Sequence, residues 1–175
     1  MEIELVVTGV LDENCYILKK NDTCLVVDPG SDYPKIKEKI GDSKILGILI
    51  THSHFDHVGA LRNFLTKKSI KIFKKSNVVD KQEYEIGDFK FEAIYTPGHA
   101  IDEVTFYFKE EKKMFIGDFI FKESIGRCDL PGGSEAEMEE SIKKIKEYDR
   151  DITLYPGHGE ATTLGYELEN NMYLK

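Results

Sequence analysis

Thr51-His52-Ser53-His54-Phe55-Asp56-His57 is the stretch on which the reading of this chain turns. Three histidines and one aspartate fall within residues 52–57, directly behind the run Lys44-Ile45-Leu46-Gly47-Ile48-Leu49-Ile50. A nearly continuous apolar run of that length suits a strand covered on both faces. His52 and His54 are two apart, so in extended backbone they point to one side and can grip one ion. Asp56 and His57 enter the next helix with a different direction and can address a second ion nearby. Singly, each has a plainer explanation: Asp56 or Ser53 as a helix cap, a lone histidine as a surface or satisfied core residue. Their clustering makes those explanations poor and points to a metal site.

Outward from the cluster, the chain has five histidines, and the other two are His99 and His158. They stand in Thr96-Pro97-Gly98-His99 and Tyr155-Pro156-Gly157-His158, each behind a strand-like segment. A Pro-Gly pair makes a tight turn, so each turn presents a histidine just beyond a strand end. Asp118, in Ile116-Gly117-Asp118, also follows a strand-like run. A carboxylate has two oxygens and could bridge two ions there; alone it would read as a turn residue.

The rest of the chain alternates short elements. Ile3 to Val7, Cys15 to Leu18 and Cys24 to Val27 read as strands, with Asn21-Asp22 as the turn between the second and third. Asp28-Pro29-Gly30 ends the third strand. Pro34 opens a helix with Ile36 and Ile40 on one face and Gly41 as its stop. Val58, Leu61 and Leu65 keep helical spacing. Phe89 to Tyr95, Val104 to Phe108 and Met114 to Ile116 read as strands. Ser134 and Glu137 form a capping-box pattern ahead of a helix striped by Met138, Ile142 and Ile145. Ile152 to Tyr155 reads as a strand and Thr162 to Met172 as a last helix. Helices spread in this way along a β-rich chain should cover the outside of β layers. An open mixed sheet and a sandwich of two sheets both satisfy that pattern.

The chain has 175 residues and a net charge of -8. That length suggests one domain, residues 1–175, able to bury a core without disulfides. The acidic surface opposes a phosphate backbone, so no nucleic-acid partner is expected; Lys67-Lys68 and Lys74-Lys75 read as short solvated pairs. The amino terminus lacks the features of a signal peptide and no apolar run is long enough to span a bilayer. A cytoplasmic protein with no membrane partner is expected. Cys15, Cys24 and Cys128 form no Cys-x-x-Cys pair and read as buried free thiols.

With these residues in place, the sequence resembles the metallo-β-lactamase superfamily, whose signature is His-x-His-x-Asp-His with a distal His, Asp and His. The resemblance covers essentially the whole chain. It implies an α/β fold, the four-layer αββα sandwich, with two mixed sheets and helices on both outer faces. It implies two divalent metal ions, with zinc favoured and iron or manganese as alternatives. His52, His54 and His99 would hold the first, Asp56, His57 and His158 the second, and Asp118 would bridge them. Asp56 and Asp118 would be the catalytic carboxylates.

Finer resemblance lies in Thr96–Ala100, Gly117–Phe121, Ser124–Gly133 and Tyr155–Gly159 with Thr162–Gly165. These segments look like the compact bacterial glyoxalase II-like hydrolases. That implies hydrolysis of a thioester such as S-lactoylglutathione by a metal-activated hydroxide, with no Ser or Cys nucleophile. Family members usually carry Thr where Ala100 stands and Thr-Leu where Phe119-Ile120 stand. Full-size glyoxalase II enzymes also carry a helical carboxy-terminal domain that helps bind glutathione, which this chain is expected to lack. Arg127 could meet an anionic substrate or pair with a neighbouring carboxylate. The alternatives within the fold are a persulfide dioxygenase with one iron on His52, His99 and Asp118, or a lactone or phosphodiester hydrolase. A binding module that kept the fold without catalysis is the alternative from another class.

Overall fold

The computed structural model describes residues 1–65 and 70–175; the Lys67-Lys68 pair lies outside them. Strands β1 (Glu2–Thr8), β2 (Glu13–Lys20), β3 (Thr23–Val27), β4 (Lys44–Leu49) and β5 (Lys71–Phe73) form one sheet in chain order. The first three pair antiparallel, whereas β3, β4 and β5 run parallel, so the sheet is mixed. Asn21, with φ 52°, makes the tight turn between β2 and β3 as expected. The second sheet contains β6 (Gln82–Ile86), β7 (Phe89–Tyr95), β8 (Val104–Phe108), β9 (Lys113–Gly117), β12 (Thr153–Pro156) and β13 (Thr162–Thr163). Its order is β13-β12-β9-β8-β7-β6. A two-stranded ribbon, β10 (Ile120–Phe121) with β11 (Ser124–Ile125), projects beyond β9.

Alternating side chains sort themselves into layers. Inward residues Tyr16, Leu18, Leu25, Val27 and Leu49 of the first sheet meet Phe91, Val104, Phe106, Phe108 and Phe115 of the second. The opposite face of the first sheet, with Cys15, Ile17, Cys24, Val26 and Ile48, packs on Ile36 and Ile40 of α1 (Tyr33–Ile40). The opposite face of the second, with Ile94, Met114, Ile116 and Leu154, packs on Met138, Ile142 and Ile145 of α4 (Glu135–Ile145) and on Leu164 of α5 (Leu164–Asn170). Each such aliphatic side chain contributes about 1.5–3 kcal/mol of burial. Helix, sheet, sheet and helix are thus the four layers expected.

Three local expectations need correction. The spacing of Val58, Leu61 and Leu65 predicts one helix, but the chain forms α2 (Phe55–Val58) and α3 (Leu61–Phe64), and Leu65 is exposed. Gly59 lies so close to the strand exit that a Cβ there would sit 2.3 Å from the Gly30 carbonyl oxygen. The Ala60 N–H donates to the carbonyls of Pro29 and Gly30 (3.0 and 2.7 Å), and these tertiary bonds replace continuation of the helix. The last helix is shorter than Thr162 to Met172, because Thr162 and Thr163 first pair with β12. The Thr163 hydroxyl then accepts from the Tyr166 N–H (3.2 Å) and caps α5. Finally, β5 and β6 were not anticipated. β6 turns Tyr84 and Ile86 towards the core while Glu83 and Glu85 are exposed, a charged edge that blunts its β signal.

Among the described residues no helix is long and apolar enough to cross a membrane. Cys15 and Cys24 are buried free thiols, as read; Cys128 is half-buried.

Candidate metal centre

Four strand exits bring the seven residues together. β4 leads into Thr51–His57, β7 into His99, β9 into Asp118 and β12 into His158. β12 runs parallel to β9, and β7 and β9 both run antiparallel to the intervening β8. The carboxyl ends of all three strands therefore open at one edge of the second sheet, against the β4 exit from the first.

Nitrogens of His52, His54 and His99 lie within 4.8 Å of one another, as do donor atoms of Asp56, His57 and His158. In the first group, His52 Nε2 and His99 Nε2 stand 3.0 and 2.9 Å from His54 Nδ1. In the second, His158 Nε2 and His57 Nε2 stand 3.3 and 3.8 Å from Asp56 Oδ2. Asp118 lies between them: Oδ1 is 3.4 Å from His57 Nε2, and Oδ2 is 3.5 Å from His99 Nε2 and 3.6 Å from His158 Nε2.

The other ring nitrogens show how the side chains are aimed. His99 Nδ1 donates to the Arg127 carbonyl (2.8 Å) and His158 Nδ1 to the Leu11 carbonyl (3.0 Å). A carbonyl only accepts, so both rings carry their proton on Nδ1 and turn a lone pair on Nε2 inward. His57 Nδ1 faces Asp28 Oδ2 at 3.0 Å, which likewise keeps a proton on Nδ1 and aims Nε2 inward. His52 Nδ1 lies 3.1 Å from the Thr51 hydroxyl, and the Thr51 hydroxyl and N–H donate to Asp28 at 2.5 and 2.7 Å. Asp28 thus ties two histidine supports into one unit.

Charge is concentrated beneath the histidines. Burial disfavours a charge on His57, but the facing carboxylates of Asp118 and Asp28 outweigh it, so without a cation the ring keeps its second proton, on Nε2, well above the usual histidine range, and a cation must displace that proton to reach the Nε2 lone pair. Burial and the neighbouring His57 push His52 well below that range. Burial would raise Asp118, but the bond and charge of His57, then His52 and His158, hold it down at about 2. Burial and the charge of Asp28 lift Glu13 to about 9, and burial with the charge of Asp118 lifts Glu103 well above the carboxylate range.

The donors suit a divalent cation. His57 Nε2 and Asp118 Oδ1 are buried without hydrogen-bond partners, although they face each other across 3.4 Å. A cation with imidazole and carboxylate preferences satisfies both. Gly157 makes the approach possible, since a Cβ there would meet Asp118 Oδ1 at 2.3 Å and His57 Cε1 at 2.5 Å.

The sequence pattern of the metallo-β-lactamase superfamily matches residues 8–81 and 69–158, spans that contain all seven residues. The chain belongs to this superfamily. Relatives within the superfamily include the hydroxyacylglutathione hydrolase GloC of Haemophilus influenzae, 29% identical over 99% of this chain and 98% of that protein. Among solved structures, the BLEG-1 B3 metallo-β-lactamase is similar with a TM-score of 0.94 at 28% identity, over 99% of this chain and 100% of that one. TTHA1623 in a di-iron-bound form has a TM-score of 0.87 at 28% identity, over 98% and 100% of the two chains. Superfamily membership and the His/Asp clusters together make this a metal-binding hydrolase of the metallo-β-lactamase fold.

Sequence reading missed the support around the centre. Asp28 read only as a strand end, Thr51 as the first residue of the cluster, and Glu13 and Glu103 not at all. Glu103 Oε1 accepts the Asp118 N–H (2.8 Å), and Glu13 Oε2 accepts the Thr8 hydroxyl (2.8 Å). Asn14 Nδ2 donates to the carbonyls of Pro156 and Gly159 (3.1 and 2.8 Å), and the Tyr16 hydroxyl donates to Pro156 (2.6 Å), fixing the His158 turn. The available signal was the polar pair Glu13-Asn14 directly ahead of the apolar run Cys15 to Leu18. Arg127 forms a two-pronged ion pair with Asp129 (2.6 and 2.7 Å), the structural one of its two readings. Lys75, read as a solvated lysine, instead lies with Nζ 3.8 Å from the Tyr95 ring centroid.

Proposed function

We propose that this chain, as a single domain of residues 1–175, is a two-metal thioester hydrolase of the glyoxalase II-like kind, acting on S-lactoylglutathione or a related acyl thioester. The observation that carries the reading is the pair of donor groups sharing Asp118 between them. In it, His52, His54 and His99 would hold one ion, Asp56, His57 and His158 the other, and Asp118 would serve both. Two divalent ions in such a site supply a water of lowered pKa and polarise the substrate carbonyl; zinc is the favoured metal, with iron or manganese as alternatives.

The residues of the chain supply orientation and proton handling. The inward Nε2 atoms of His57, His99 and His158 are preset by Asp28 and by the Arg127 and Leu11 carbonyls, so the rings need not rotate when a cation arrives, although His57 must give up its Nε2 proton. Asp56 is the more accessible of the two site carboxylates, with its side chain 14% exposed, against 10% for Asp118. Its Oδ atoms can take a proton from the attacking water and return it to solvent. The reaction adds water across the acyl–sulfur bond, giving a carboxylic acid and a thiol. A thiolate is a good leaving group, so the pathway needs no strong general acid and no role for Cys128.

The thioester assignment is supported by the glyoxalase II-like segments Ser124–Gly133 and Thr96–Ala100 and by the near-complete coverage of the Haemophilus hydrolase, which is matched without a large unaligned domain. The test is metal analysis of purified protein combined with S-lactoylglutathione hydrolysis. The expected result is two metals per chain and release of free glutathione. Persulfide-dependent oxygen uptake on a single iron, without thioester cleavage, would replace this reading with the dioxygenase one.

A further inference from the structure

Large apolar side chains are left in water around the metal centre. Val10 is 95% exposed, Phe55 72%, Ile101 65% and Leu11 49%. Isolated exposed hydrophobics need no explanation, but Phe55 and Ile101 lie within two residues of the centre's histidines along the chain, and the Val10-Leu11 turn is bonded to His158. Phe55 stands between His54 and Asp56 at the start of α2. Ile101 lies two residues past His99. Leu11 gives the carbonyl that receives the His158 Nδ1–H at 3.0 Å, and Val10 precedes it in the β1–β2 turn. The ring of Phe121 adds a further apolar surface 6.2 Å from the His158 ring.

Several cations near this rim already have partners; Lys75, for one, lies with Nζ 3.8 Å from the Tyr95 ring centroid. Arg127 is paired with Asp129 through two bonds, and Lys122 with Glu160 at 3.0 Å. A substrate carboxylate or phosphate meeting Arg127 or Lys122 would compete with the carboxylate already there, in a chain of net charge -8. An apolar group would meet no such cost.

Resting on the thioester reading of the same centre, we infer that Val10, Leu11, Phe55 and Ile101 form a specificity rim for an apolar acyl chain. The substrate class is a medium-chain acyl thioester, distinguished from S-lactoylglutathione, whose small hydroxylated acyl group offers the rim little and whose thiol half is ionised. The thiol half of a biological thioester is rich in amides and charges, so the acyl half is the one that complements this surface.

The test uses metal-loaded protein and a series of N-acetylcysteamine thioesters from acetyl to octanoyl. Full burial of one methylene is worth ~4-fold in binding, and a rim left half open gives ~2-fold per methylene. The expected rise in kcat/KM from acetyl to octanoyl is therefore on the order of 60-fold by that coefficient. In the double variant Val10→Ser, Ile101→Ser the rise should fall below ~10-fold by the same scale. Val79→Ser, an exposed valine on the loop before β6, should leave it unchanged. A second readout is calorimetric binding of S-octyl-N-acetylcysteamine, a thioether that cannot be cleaved, which should weaken in the double variant and not in Val79→Ser. Thioester cleavage with a flat chain-length series, or faster cleavage of S-lactoylglutathione than of octanoyl thioester, overturns the rim while leaving the thioester reading intact. Failure of the metal-loaded protein to cleave any thioester overturns both.

Discussion

Asp28→Asn changes one atom and reverses what that atom offers. Asp28 accepts three hydrogen bonds, from the Thr51 N–H (2.7 Å), the Thr51 hydroxyl (2.5 Å) and His57 Nδ1 (3.0 Å). The amide of the variant keeps one oxygen for the Thr51 N–H but turns an NH2 group towards the other two donors. The Thr51 hydroxyl can rotate and accept. His57 can accept at Nδ1 only by keeping its proton on Nε2, the nitrogen that faces Asp118 and Asp56 and that a cation would need free. Loss of such a supporting carboxylate costs about 10–100-fold in metal affinity, or roughly 1.4–2.7 kcal/mol. The side chain keeps its volume, so the metal-free protein should lose only about 1.5–3 kcal/mol, one bond to a charged group. Competitive zinc titration against a chelator, with thermal melting of the metal-free protein, measures the two effects separately. Asp28→Ala leaves His57 free to keep its proton on Nδ1, so per folded molecule its affinity should fall less than that of Asp28→Asn. If the Asp28→Asn protein binds both ions within about threefold of wild type, well short of the loss expected for such a carboxylate, the orientation of His57 does not depend on Asp28 and the reasoning is refuted.

Other perturbations have equally definite outcomes. Asp118→Ala should lose metal and activity together; full metal occupancy by elemental analysis would contradict its shared position. Gly157→Ala puts a methyl group 2.3 Å from Asp118 Oδ1, so metal affinity should drop at least tenfold while overpacking costs about 1–3 kcal/mol in urea unfolding. Glu13 stays protonated in the fold up to about pH 9, whereas the unfolded chain ionises it near 4.5. Unfolding between those values releases a proton, so stability falls as pH rises through that window. Metal-free Glu13→Gln should therefore gain about 3 kcal/mol on wild type between pH 4.5 and 7; parallel stability curves for the two proteins would show that Glu13 is ionised in the fold. Cys128→Ser should retain hydrolysis in the thioester assay, and complete loss would assign the thiol a chemical role.

The helices of the fold were most legible where an apolar stripe marks the face they bury. Ile36 with Ile40, and Met138 with Ile142 and Ile145, announce helices whose apolar stripe is what the sheets cover. The α2–α3 break was not legible, because its cause is a backbone 29 residues earlier pressing on Gly59 and no local pattern encodes that approach. β5 was missed because it is three residues long, and β6 because its outward face is charged. The seven donor residues stand out because histidine and aspartate beyond apolar strands have few other uses there. Glu13, Asp28 and Glu103 do not, since an isolated acidic residue in sequence looks like surface until the fold buries it. The superfamily pattern spans residues 8–158 and so takes in all four loops that carry the donor residues.

The four strand exits that carry the donor residues do not belong to one sheet: β4 comes from the first, and β7, β9 and β12 from the second. An ion held by His52, His54 and His99 would therefore clasp the two halves of the sandwich at their open edge, as a rivet would. The grip and the aromatic interior that sets the gap between the sheets become mechanically one system. Shrinking Phe115 or Phe106, deep inside and touching no donor residue of the centre, would let the halves settle closer and would detune the clasp from a distance.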